Sequence, residues 1–187
     1  MTPTKLKALH YYSRKFQTIR VDRIHGVAPH KPILLLTVIE LFRNGEMGRN
    51  EIYLSHSLNC KFLKYWSYLG SELHNPDISS PYFHMRSGKF WHLMANPGYE
   101  KIISSKIKLK TFAEVKRAVK FAYLDEDLFD LLQVEKYRNS FLLILISRWF
   151  PGRFEEIERI ATSEEFNPRN IFLDKIRSSY LRSIKDS

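Results

Sequence analysis

A mainly α-helical single domain carrying a small β-hairpin is the fold class that three observations predict. Apolar residues recur at helical spacing along most of the chain, one short stretch reads aromatic, turn, aromatic, and no repeat, low-complexity run or Gly/Ser linker interrupts the pattern. With 187 residues, 44% apolar and 27% charged, the chain can bury a real core, which excludes wholesale disorder. Residues 1–150 read as the domain, and 151–187 as a helical annex to it.

Each element has its own signal. Residues 4–17 predict a first helix with Leu6, Leu9, Tyr12, Ser13 and Phe16 on one side. Pro32 suits the first turn of a second helix that runs to about Phe42, is apolar nearly all round and therefore buried, and ends at Gly45. Strand character fits Glu51 to Leu54. A third helix over about 56–69 aligns Leu58, Phe62, Tyr65, Trp66 and Leu69. The hairpin is expected where Tyr82–Met85 and Phe90–Leu93 flank Arg86-Ser-Gly-Lys89, with His84 and His92 able to face each other. Thr111 and Glu114 form a capping-box pattern opening a fourth helix, with Phe112, Val115, Val119 and Ala122 inward and Lys116, Arg117 and Lys120 outward. A short fifth helix follows around Leu128–Leu132, then a central helix over 135–149. Asn167-Pro168 would cap a last one bearing Ile171, Phe172, Ile176, Tyr180 and Ile184.

Charge is the first functional clue. Thirty Lys and Arg against twenty Asp and Glu give +10, and the pI is about 9.7. Charge speaks to partners rather than fold, and polyanions lead. The excess is uneven: residues 1–50 hold nine basic and three acidic side chains, 101–120 hold seven basic and one acidic, and 124–135 hold five acidic and none basic. That pattern implies one basic face and one solvated acidic face that includes Asp125, Glu126, Asp127 and Asp130.

No catalytic constellation emerges. GxSxG, the phosphate-binding GxxxxGK[ST] and the dinucleotide-binding GxGxxG are all missing, and the seven histidines show no metal-ligand spacing. Neither a metal nor a cofactor is expected. The one cysteine, Cys60, cannot build a disulfide framework and reads as a small buried hydrophobe. The longest apolar run, Phe141 to Ile146, is too short to span a bilayer, and the N-terminus has no apolar signal core. A soluble, cytoplasmic protein without a membrane partner is the expectation.

Two segments look built for anions. In Gly26-Val-Ala-Pro-His-Lys-Pro32, prolines stiffen the approach to a helix start, leaving the Ile33 and Leu34 amides to face an anion beside His30 and Lys31. The alternative is a plain helix start. In Ser79-Ser80-Pro81-Tyr82-Phe83-His84, proline and aromatic rings make a dry surface next to Arg86 and Lys89. The alternative there is core packing.

Together these segments resemble the DNA sulfur-recognition domain, the phosphorothioate-DNA-binding module at the N-terminus of many bacterial HNH restriction endonucleases. The resemblance rests on Ala28-Pro29-His30-Lys31-Pro32 with its leucine run, on Ser80-Pro81-Tyr82-Phe83-His84-Met85-Arg86 leading to Phe90-Trp91, on Leu124-Asp125-Glu126-Asp127-Leu128, and on Trp149-Phe150, and it covers roughly residues 5–150. Ser80 stands where the family has tyrosine, Gly88-Lys89 replaces Asp-Gly, and His84 replaces something smaller or more apolar. The resemblance implies a sulfur pocket made by His30, Lys31, Ser80, Pro81 and His84. It also implies a DNA backbone held by Arg20, Arg23, Arg86, Lys89, Lys106, Lys108 and Lys110. The partner would be double-stranded DNA carrying phosphorothioate linkages, in a restriction or defence setting with a nuclease domain or partner supplied elsewhere.

On this reading the chain is a binding module and not an enzyme, since residues 93–187 contain neither histidine nor cysteine from which to build an HNH centre. The alternatives from other classes are an HNH-type endonuclease, a basic regulator binding ordinary duplexes, and a protein-interaction domain whose charge serves solubility.

Overall fold

The computed structural model describes residues 3–24, 26–105, 107, 109 and 111–163. In chain order its helices are α1 (Pro3–Gln17), α2 (His30–Arg43), α3 (His56–Leu69), α4 (Ser79–His84), α5 (Glu100–Ser104), α6 (Phe112–Ala118), α7 (Glu126–Gln133), α8 (Glu135–Trp149) and α9 (Phe154–Thr162). The strands are β1 (Trp91–Ala95) and β2 (Val119–Leu124), and a 3-10 turn, Met85–Gly88, follows α4. The expected class, mainly helical with a small antiparallel β unit, is what the chain adopts. The last helix expected from Asn167-Pro168 lies outside the described residues, as do Lys106, Lys108 and Lys110.

The most apolar helix lies at the centre. Every residue of α2 from Pro32 to Phe42 is buried, and α2 packs against α3, α4, α7 and α8. α1 crosses α8 and α7 and inserts Tyr12 and Phe16, while Leu6 stays 55% exposed. α8 spans the expected 135–149 and packs against α1, α2 and α7: Phe141, Leu145 and Ile146 are buried, and Leu143 is exposed. α9, in the stretch read only as a helical annex, sets Ile157, Ile160 and Ala161 at helical spacing and buries Ile157 and Ile160 on the α3 side. No described helix is long and apolar enough to cross a membrane.

The β unit is displaced from its expected place. Tyr82 to Met85 are not a strand but α4 and the start of the 3-10 turn, and β1 pairs antiparallel with β2, Trp91 opposite Leu124 and Met94 opposite Phe121. The reason is local. Asp77 accepts the amides of Ser79 (2.9 Å) and Ser80 (3.3 Å), which starts a helix, and Pro81, Tyr82, Phe83 and Met85 are all buried, which alternation in a half-buried strand forbids. His84 and His92 therefore do not face each other. His92 pairs with Tyr123, and its Nε2 lies 2.6 Å from Asp125 Oδ1.

The fourth helix is also shorter than expected. The Thr111–Glu114 capping box forms, but α6 stops at Ala118 because Asn96 claims its last carbonyls: Asn96 Nδ2 donates to Arg117 O (2.9 Å) and its amide to Ala118 O (2.9 Å). Val119 and Ala122 are then buried from a strand. Strand character at Glu51–Leu54 survives as one bridge, Ile52 to Ala122. Asp125 is not simply solvated, since it also accepts Tyr12 Oη at 2.9 Å. Cys60 is half-buried rather than core, with Sγ 3.4 Å from His56 Nε2.

Candidate nucleic-acid interface

A cleft of about 820 Å³ opens where the approach to α2 meets the start of α4. Its lining unites both segments singled out in the sequence: His30 and Lys31 from the first turn of α2, and Ser80, Pro81 and His84 from α4. Arg20, Val21, Asp22, Arg23 and Ala28 come from the chain between α1 and α2, His74 from the loop after α3, Ser87 from the 3-10 turn, and Leu109 completes the lining.

The α2 end of the cleft differs from expectation. The helix begins at His30 rather than Pro32, so the Ile33 amide is not free: it donates to Pro29 O at 2.9 Å. Helix geometry leaves the His30 and Lys31 amides as the unpaired ones, since Pro32 has none.

The His30 ring lies 4.4 Å from the Trp66 ring, and its Nε2 is 2.8 Å from Asn75 O. A carbonyl can only accept, so Nε2 carries the proton and Nδ1 is the acceptor. Burial lowers the His30 pKa, partly offset by that carbonyl bond, which leaves the ring neutral at pH 7. Gly70 closes α3 against Trp66, where a Cβ would come within 2.4 Å of Trp66 O.

Lys31 is the charged centre. Its Nζ donates to Arg20 O (2.9 Å) and Ser87 Oγ (3.3 Å), and among the described residues no carboxylate pairs with it. Burial, then the neighbouring Arg20 charge, push its pKa down. A half-buried ammonium with neutral partners and a guanidinium nearby is a site short of an anion. A smaller cavity of about 120 Å³ on its other side shares Arg20, Lys31 and Ser87.

The α4 wall is the opposite in character. Pro81 is buried and has no N–H, the Ser79 and Ser80 amides are taken by Asp77, and the Tyr82 amide donates to Ile78 O at 3.0 Å. Ser80 is exposed at the mouth, and His84 is half-buried with its ring edge-on to Phe83.

Of the residues expected on the DNA backbone, Arg20 and Arg23 are exposed in the cleft lining. Arg86 is turned to other work: its guanidinium lies over Phe83 (4.1 Å) and donates to the carbonyls of Ile103 and Ser105, bracing α4 against α5. Lys89 is exposed in a left-handed conformation (φ 61°) and does not line the cleft. Sequence reasoning missed His74, Asp77 and Ser87. Asp77 was findable, because Asp-x-Ser-Ser-Pro is a helix-start pattern. Nothing local marks the other two.

Fold and cleft define a small helical domain with a cationic notch beside a wall whose backbone N–H groups are taken or missing. Two solved structures share this fold. The sulfur-binding domain of SprMcrA, complexed with phosphorothioated DNA, matches with a TM-score of 0.60 at 18% identity, covering 81% of this chain and 93% of that one. The sulfur-binding domain of ScoMcrA, also complexed with phosphorothioated DNA, matches at 0.55 and 18%, covering 81% and 98%. No family model and no curated protein matches the chain.

Proposed function

We propose that this chain is a DNA-binding module that recognises phosphorothioate-modified duplex DNA, holding the backbone by charge and selecting the sulfur by an apolar wall. The observation that carries the reading is the juxtaposition in one cleft of the Lys31 ammonium, which no carboxylate among the described residues pairs, with a Ser80–Pro81 wall whose backbone N–H groups are taken or missing. Sulfur is larger, more polarisable and less strongly hydrated than an anionic oxygen. A wall whose backbone offers no free N–H accepts it at small desolvation cost, whereas an oxygen pressed against that backbone loses water without gaining an amide donor, at about 1–3 kcal/mol per lost hydrogen bond.

The roles divide accordingly. Lys31, Arg20 and Arg23 grip the phosphate backbone. His30 packs on Trp66 and presents an acceptor edge, Pro81 forms the floor, and Ser80 and His84 flank it. Lys106, Lys108 and Lys110 extend the basic track, and Arg86 and Lys89 can meet only DNA that runs beyond the cleft. In this account the chain binds without cutting, works in the cytoplasm in restriction or defence, and relies on a nuclease domain or partner for cleavage.

The test compares two duplexes of one sequence, one bearing a single phosphorothioate of defined stereochemistry, by fluorescence anisotropy at fixed salt across a panel of flanking sequences. Tighter binding of a sulfur duplex supports the reading. Equal affinity across the panel points to a regulator of ordinary DNA. Metal-dependent cleavage by the purified chain would replace the binding-module reading with a nuclease.

A further inference from the structure

Helix starts ordinarily offer several N–H groups to whatever lies beside them, and such groups suit a phosphate oxygen better than a sulfur. The start of α4 lies at the cleft, yet its backbone donors are removed one by one. Asp77 Oδ1 accepts the Ser79 amide at 2.9 Å, and Asp77 Oδ2 accepts the Ser80 amide at 3.3 Å. Pro81 has no N–H, and the Tyr82 amide is bonded to Ile78 O at 3.0 Å. Ser80, Pro81 and His84 line the cleft, and Asp77 does not, so Asp77 acts on the wall from behind.

We infer that Asp77 is a positioning residue that sets the preference for sulfur over oxygen by occupying the Ser80 amide, the backbone donor the wall would otherwise present, while its bond to the buried Ser79 amide fixes the turn. This rests on the phosphorothioate reading above and adds a specificity determinant outside the pocket itself. An N–H engaged with a carboxylate cannot also welcome an anionic oxygen.

The test measures dissociation constants of wild type, Asp77→Asn and Asp77→Ala for the sulfur duplex and its oxygen twin at one salt concentration, with circular dichroism on each variant. Asparagine keeps an oxygen for the Ser79 amide and replaces the acceptor of the Ser80 amide with an NH₂. The sulfur-to-oxygen ratio is expected to fall stepwise, part-way in Asp77→Asn and by roughly tenfold in Asp77→Ala, chiefly through tighter binding of the oxygen duplex. If Asp77→Ala does not fold, Asp77→Asn decides alone. A pure charge role would strengthen both duplexes equally and leave the ratio at its wild-type value, and that result in folded variants overturns the inference. A wild-type ratio of one would instead defeat the phosphorothioate reading.

Discussion

On the proposed reading Lys31 and Pro81 divide the work of the cleft between charge and shape, and each can be tested alone. Lys31→Ala removes a cation held by Arg20 O and Ser87 Oγ. It is expected to weaken both duplexes by about 10-fold or more while sparing the ratio, because a cation at the backbone senses charge more than atom type. Pro81→Asn places a donor at the wall and is expected to erode the ratio while total affinity survives, with His30→Ala between the two. An unchanged ratio for folded Pro81→Asn with a collapsed one for Lys31→Ala would reverse the roles. His30 gives a pH prediction with a definite sign. Burial lowers its pKa, so the unfolded chain takes up the proton first, near the ordinary value of about 6.5. Stability is therefore lost as pH falls from about 6.5 through the lowered value, and the loss levels off below it. Urea denaturation between pH 8 and 5 should show wild type losing stability relative to His30→Gln across that window, and a difference that stays flat with pH would refute the assignment.

At the scale of elements, the long helices were legible because their apolar spacing is unambiguous: α3 and α8 carry the expected bounds. The region 79–124 was not, because its signals are shared between structures. Tyr82-Phe83 and Phe90-Trp91 are equally at home in strands and in a fully buried helix turn, and the partner of β1 lies beyond α6, where no short-range signal could point. Asn96 ends α6 from a different element, which periodicity cannot reveal. Another such long-range contact joins α2 to α3. Lys64 Nζ meets Glu40 Oε1 at 3.0 Å with both side chains almost fully buried, and Lys61 adds a second cation at 3.4 Å. Lys64→Met would leave Glu40 with the more exposed Lys61 as its one remaining cation among the described residues, beside the Tyr65 hydroxyl, and Glu40→Gln would leave Lys64 buried and uncompensated. Each single variant is expected to cost about 3–5 kcal/mol in urea denaturation, and Glu40→Leu with Lys64→Met to recover most of it. Losses below about 1 kcal/mol would show the pair to be incidental.

Across the whole molecule, the five pocket residues were legible in the sequence as two separate motifs, and folding α2 beside α4 puts them in one cleft. Their surroundings were not legible: Asn75 O, Trp66 and Ser87 reach His30 and Lys31 from 36 to 56 positions away, and nothing in their local sequence announces it. On the proposed division of labour, the basic residues of the 106–110 stretch would add to the grip by charge. Neutralising Lys106, Lys108 and Lys110 together should lower the salt slope of binding by about one unit per true phosphate contact, and an unchanged slope would make them a solvated surface. The central claim, that charge grips and an apolar wall selects, is tested most directly by titrating salt against both duplexes at once. The two plots of log Kd against log salt should be parallel lines, steep because phosphates are neutralised and offset by a constant sulfur preference that salt does not touch. Coincident lines, or an offset that vanishes as salt rises, would contradict the account.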